Sequence, residues 1–189
     1  LLPETYPCEY LYDESEEFAA RVSAVNDGQV TLLDLGVERL MQQNCWGIEP
    51  INIFQAFAMD AVLDPDLDLV ILNGAAGSGK TLIALACALE MVIEQRRYNK
   101  IIVTRSTPPV AEDIGFLPGT EEEKMTPWLS AIQDNLEAMH EHDERPQSSV
   151  KYAIEKANIQ FKSLNFIRGR SIQEAIVLLD EAQNLTPSQ

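Results

Sequence analysis

Two apolar-rich runs, Phe18 to Val25 and Gln29 to Leu35, flank Asn26-Asp27-Gly28. Asn and Gly tolerate the positive φ of a tight turn, so this pattern predicts a β-hairpin. From Trp46 the character changes. Ile53, Phe54, Phe57, Ala58, Ala61 and Val62 recur at helical spacing behind Asn52, whose side chain suits a helix cap, and Asp64-Pro65 closes the run. Leu69 to Leu72 predicts a short apolar strand, Gly74 to Thr81 a glycine-rich loop, and Leu82 to Gln95 a buried helix. A second strand is expected at Lys100 to Thr104, with a long loop from Arg105 to about Gly119. Thr126 caps and Pro127 opens a helix through Met139, with Trp128, Leu129, Ile132 and Leu136 on one face. A helix near Ser149 to Ala157, a strand at Ile159 to Lys162 and a last strand at Ala175 to Leu179 complete the series. Strands alternating with helices predict an α/β fold, a mostly parallel sheet flanked by helices on both faces, preceded by the small hairpin.

The most specific chemistry sits between the first expected strand and its helix. Gly74-Ala75-Ala76-Gly77-Ser78-Gly79-Lys80-Thr81 fits GxxxxGK[ST] at every fixed position, and an apolar strand enters it while a helix leaves it. Glycines let the backbone curl so that successive N–H groups face phosphate oxygens, and the helix N-terminus adds partial positive charge. Lys80 supplies the full charge for the β and γ phosphates, and the Thr81 hydroxyl is a ligand for Mg2+. The loop therefore reads as a P-loop (Walker A) for ATP.

About 100 residues later Ala175-Ile176-Val177-Leu178-Leu179 ends in Asp180-Glu181. A carboxylate at a strand's C-terminal edge holds hydrated magnesium, which is the Walker B role for Asp180. Glu181 is placed to orient and help deprotonate a water, which favours hydrolysis over phosphate transfer to an acceptor. Upstream, Gln55 lies 19 positions before Gly74. Its amide can donate to adenine N7 and accept from the adenine N6 amine together, or it is simply a polar residue on an exposed helix face.

Charge enters as a restraint on partners. The net charge of −16 opposes nucleic-acid binding, but it is unevenly spread. Residues 1–68 hold 14 acidic and 2 basic side chains, whereas 145–173 holds Arg145, Lys151, Lys156, Lys162, Arg168 and Arg170 against Glu155 alone. That stretch is either a solvated basic face or a phosphate-binding strip. Arg168 and Arg170 can contact nucleic-acid phosphate, or the γ phosphate of a neighbouring subunit's ATP, or pair with local acids. Gln183 either couples the γ-phosphate state to a strand-binding surface or has a helix-capping or solvated role. His140 and His142 with Asp143 lack a fourth ligand, so no metal site is expected there. The three cysteines, Cys8, Cys45 and Cys87, form no CxxC pair and fit a reduced, cytoplasmic setting. No apolar run reaches the roughly 20 residues of a membrane span, and no basic-then-apolar leader is visible.

Several segments together resemble the PhoH-like ATPases: Trp46-Gly47-Ile48-Glu49-Pro50 with Asn52 and Gln55, the P-loop, and Val110 to Thr120. Glu122-Glu123-Lys124-Met125, Pro127-Trp128, Ile167 to Ser171 and Leu179-Asp180-Glu181-Ala182-Gln183-Asn184 follow. The resemblance covers roughly residues 46–189, while 1–45 reads as a β-rich linker or appendage. It implies a RecA-like P-loop NTPase core related to superfamily 1 helicases, using ATP and Mg2+, associated with RNA and often hexameric. In some members a PIN nuclease domain precedes this core, and the hairpin at 18–35 looks like the joining segment. No PIN carboxylate cluster can be assigned here. Arg105-Ser106-Thr107-Pro108-Pro109 departs from the family's usual arginine–proline wording. The chain opens at Leu1 without methionine and stops before the family's sensor strand, so it reads as a piece of a longer protein. The core is then expected to be incomplete at its C-terminus and to hydrolyse ATP poorly in isolation. A small-molecule kinase and an ATP-binding switch with negligible turnover remain as alternatives.

Overall fold

The computed structural model describes residues 4–13, 15, 17–105, 134, 152–162, 164 and 171–186. The chain divides into two compact units, Leu1–Ile83 and Ala84–Gln189.

In the first unit, β1 (Tyr10–Tyr12), β2 (Ala19–Asn26) and β3 (Gln29–Asp34) form an antiparallel sheet in that order. The hairpin turn is the expected one. Asn26 pairs with Gln29, and the two residues between them, Asp27 at φ 49° and Gly28 at φ 75°, are both left-handed. That is the type I′ geometry whose twist matches the flanking strands. The register slips between Val22 and Ala24, where Ser23 bulges and its hydroxyl donates to the Thr31 carbonyl at 3.1 Å. Two helices follow, α1 (Val37–Met41) and α2 (Ile53–Leu63). Asn52 caps α2 as its side chain predicts, accepting from the Gln55 N–H at 3.0 Å.

What holds this unit together crosses residue 45. Ala19, Leu35, Leu40, Ile53, Ala56 and Phe57 form one buried cluster, with Tyr10, Val37 and Met41 packed against it. Tyr10 lies 4.7 Å from Phe57 between ring centroids, and its hydroxyl donates to Asp60 Oδ2 at 2.7 Å. Burial, and then the bond to Asp60, raise the Tyr10 phenol above its ordinary pKa, so it stays a neutral donor. Arg21 on β2 completes the seam by pairing with Asp64 and, at 3.5 Å, with Asp60. The hairpin sheet is thereby fixed to the helix that carries Gln55. Ile53→Ala should cost about 2–5 kcal/mol, because the emptied space is walled by both β and α residues. Urea unfolding monitored by circular dichroism reads this; a loss below about 1 kcal/mol would mean the cluster is not a shared core.

One expected element differs. Leu69 to Leu72 forms no strand among the described residues: Leu69 and Ile71 are each 78% exposed, while Val70 and Leu72 are half-buried. The alternation belongs to a strand, but a ladder also needs backbone partners alongside, and none of the described strands pairs with this run.

α3 (Lys80–Leu89) starts on the glycine-rich loop and continues into a π-helical turn at Glu90–Glu94. Leu85 to Leu89 are five consecutive buried residues, so α3 is enclosed on all sides there, as its apolar run predicts. In the second unit, β4 (Lys100–Arg105) lies between β5 (Ile159–Phe161) and β6 (Ala175–Asp180), parallel to both. Ile101, Ile102, Val103 and Thr104 are all buried, as both faces of a central parallel strand should be. Residues 152–156 are helical ahead of β5, with Ala153 and Ala157 buried. A parallel sheet with helices makes the chain α/β. The expected loop beyond Arg105 lies outside the described residues, and of the helix from Pro127 to Met139 only Asp134 is described, as helical. Among the described residues no helix is long and apolar enough to cross a membrane.

Candidate nucleotide-binding site

The loop between Gly74 and Thr81 owes its shape to its glycines. Gly77 (φ 77°) and Gly79 (φ 83°) are left-handed, a region costly for residues with a Cβ. Gly74 is not, and contributes by size: a Cβ there would stand 3.2 Å from Ser78 Oγ. The Ser78 N–H donates to the Ala75 carbonyl at 3.3 Å, and the Ile83 N–H donates to Gly79 at 2.9 Å, starting α3. Lys80, the first residue of that helix, folds back over the loop. Its Nζ donates to the carbonyls of Gly74 at 2.8 Å and Ala75 at 2.7 Å, and to Ser78 Oγ at 3.4 Å.

These features fit a polyphosphate. An ammonium and a helix N-terminus share one short loop, Ala75 to Ser78 are exposed, and nothing lies within 4 Å of where a Gly77 Cβ would stand. Thr81 follows Lys80 on α3, half-buried. Gln55 lies against this loop: its amide Nε2 donates to the Ser78 carbonyl at 3.1 Å, while its Oε1 accepts from the Ile51 N–H at 3.0 Å.

In the second unit, Asp180 ends β6 directly beside Arg105, the last residue of β4. Parallel strands gather ligand-handling side chains at their carboxyl ends. The Arg105 guanidinium lies 3.9 Å from Asp180 Oδ2 and 3.6 Å from Glu181 Oε1. Glu181 is left-handed, at φ 53° and ψ 40°, and opens a 3₁₀ turn over Ala182–Asn184. A non-glycine residue pays of order 1–2 kcal/mol for that conformation. Gln183 on the turn donates its amide to Glu181 Oε2. Asp180 and Glu181 are both half-buried, dry enough for charge to matter and open enough to take a hydrated cation.

Within their own units the structure places Gln55 against the loop from Gly74 to Lys80, and Asp180 next to Glu181 and Gln183. Arg168 and Arg170, together with Arg145 and Lys151 of the basic stretch, lie outside the described residues. Sequence reasoning missed the place of Arg105 beside the acidic pair. The only signal for it is a basic residue closing one strand and an acid closing another, which becomes a contact only once the register is known.

A family model described as PhoH-like protein matches residues 47–189. Protein PhoH2 of Bacillus subtilis (strain 168) is 43% identical over 144 residues, covering 76% of this chain and 32% of that protein. Protein PhoH2 of Thermobispora bispora is 37% identical over 141 residues, covering 74% and 31%. A PhoH-like protein of Bacillus subtilis (strain 168) is 38% identical over 122 residues, covering 65% and 36%. The chain thus spans about a third of the length of these relatives. The matched segment contains the loop around Lys80, Gln55, Arg105 and the acidic pair, and on that match the chain belongs to the PhoH-like protein family.

Proposed function

We propose that the chain is the ATP-binding and ATP-hydrolysing core of a helicase-related ATPase of RecA type, acting on RNA or other single-stranded nucleic acid. The observation that supports this most is the Lys80 ammonium lying over a glycine-rich loop at a helix N-terminus. That is an anion site of the kind a triphosphate needs.

The roles follow from the chemistry of each group. The loop amides from Gly74 to Thr81 and the Lys80 ammonium bind the phosphates. Gln55 reads adenine with the one donor and one acceptor that its two protein bonds do not use. Thr81, through its hydroxyl, and Asp180, through its carboxylate, are the groups that would hold magnesium in this reading, and the ion would neutralise charge on the phosphates. Among the described residues no three His, Cys, Asp or Glu converge as a metal cluster, and magnesium asks for only one or two protein ligands. Glu181 orients a water and takes its proton. Arg105 neutralises the two carboxylates until other cations replace it, and Gln183 fixes the Glu181 carboxylate. Arg168 and Arg170 contact nucleic-acid phosphate, or the γ phosphate of a neighbouring subunit. In the whole protein we place this core in a cytoplasmic homo-oligomer, a hexamer by family resemblance.

Phosphate release by the full-length protein, with and without single-stranded RNA, is the test. We expect hydrolysis that RNA accelerates. Release that appears only with a small-molecule acceptor would replace this reading with a kinase. Tight ATP binding without turnover, RNA present or not, would replace it with a nucleotide-operated switch.

A further inference from the structure

Gln55 has a second task that does not involve a base. We infer that Gln55 is a positioning residue for the P-loop, orienting the Ser78–Gly79 peptide so that the loop can receive any triphosphate. The inference rests on the reading of the loop as a phosphate site and adds to it a residue from a different segment of the chain.

The geometry begins at the start of α2. Asn52 caps the helix through the Gln55 N–H, which fixes the backbone of Gln55. Its side chain then reaches back, and Oε1 accepts from the Ile51 N–H at 3.0 Å. This is close to a capping box, in which the third helical residue turns back on the residues before the helix. Oriented by that bond, the amide presents Nε2 to the Ser78 carbonyl at 3.1 Å. The peptide plane does the rest. No peptide bond here is cis, so the Ser78 carbonyl and the Gly79 N–H point in opposite directions. A donor that holds the carbonyl to one side holds the N–H to the other.

A second observation supports the brace. A Cβ at Gly79 would stand 3.0 Å from Gln55 Nε2, the amide's nitrogen, so a side chain here would push the Gln55 amide off its place. The left-handed φ of 83° favours glycine there in its own right. The amide is also not used up. A primary amide has two N–H donors and an oxygen with two acceptor positions, and the two protein bonds engage one of each. One donor and one acceptor therefore remain, the number that adenine needs. Bracing and base reading are therefore compatible, and they separate cleanly by ligand: a base contact matters to ATP alone, while the brace matters to every ligand with the same phosphates.

Gln55→Met removes the polar amide and keeps the length of the side chain. Binding of ATP, GTP and inorganic tripolyphosphate, each with magnesium, is measured calorimetrically for wild type, Gln55→Met and Lys80→Ala. The unfolding midpoint of each protein checks that it is folded. The brace predicts that Gln55→Met weakens all three ligands, GTP and tripolyphosphate by roughly tenfold and ATP by at least as much. A loss confined to ATP, with GTP and tripolyphosphate within about twofold of wild type, would overturn it and leave Gln55 as a base reader only. No loss for any ligand would overturn both roles. Wild-type protein that binds none of the three, or a Lys80→Ala variant that binds them all normally, would instead sink the phosphate-site reading, and the brace with it. Gln55→Ala repeats the measurement in case methionine packs against the loop.

Discussion

Lys80→Ala should weaken ATP binding by at least about 100-fold. The ammonium lies among three oxygen acceptors of its own loop, the carbonyls of Gly74 and Ala75 and the Ser78 hydroxyl. A polyphosphate offers a better set: formal negative charge in place of carbonyl dipoles, at the same short range. Binding therefore exchanges neutral acceptors for charged ones, which adds the attraction between full charges to hydrogen bonds the ammonium already makes. Alanine removes that exchange and leaves the loop only its amides and the helix N-terminus. Lys80→Arg should not rescue the loss fully. A planar guanidinium cannot present donors in the compact arrangement of the ammonium between Gly74, Ala75 and Ser78. Calorimetric titration with magnesium–ATP reads both variants. A Lys80→Ala protein within about threefold of wild type would mean that this loop is not where the phosphates bind.

How far such a site can be read from sequence depends on whether its causes are local. The hairpin at Asn26–Gln29 was legible because the turn residues themselves require left-handed φ. The start of α2 was legible because Asn52 is a local cap, and α3 because its apolar run is long. β1 and α1 are not legible in the sequence: three and five residues are too few to show a period. Leu69 to Leu72 shows the opposite failure, where the apolar run of a strand is present but pairing, which is never local, is missing among the described residues. The site divides in the same way. The loop around Lys80 is contiguous, so one short window of sequence holds all of it. The contact of Gln55 with Ser78 joins residues 23 apart, and that of Arg105 with Asp180 follows from one register in a parallel ladder. Neither is written in any short window of sequence.

Glu181→Gln should separate binding from chemistry. Glutamine keeps the size and hydrogen-bonding reach of glutamate but has no negative charge and cannot take a proton near neutral pH. The bonds that position this side chain partly survive: one of its two amide atoms can still meet the Gln183 amide, and the backbone at φ 53° is unchanged. Arg105 keeps Asp180 as its acidic neighbour at 3.9 Å, so the substitution does not leave a guanidinium without a counter-charge. Nothing in the loop around Lys80 is altered, so ATP affinity should stay within about threefold of wild type. Turnover by the full-length protein should fall about 10²- to 10⁴-fold, the range general bases supply. The mutant then becomes a stable ATP-bound form, which single-turnover measurements will show as slow phosphate release after normal nucleotide uptake. If turnover stays within tenfold of wild type, the proton goes elsewhere, and Glu181 is only a neighbour that holds Arg105 and Gln183 in place.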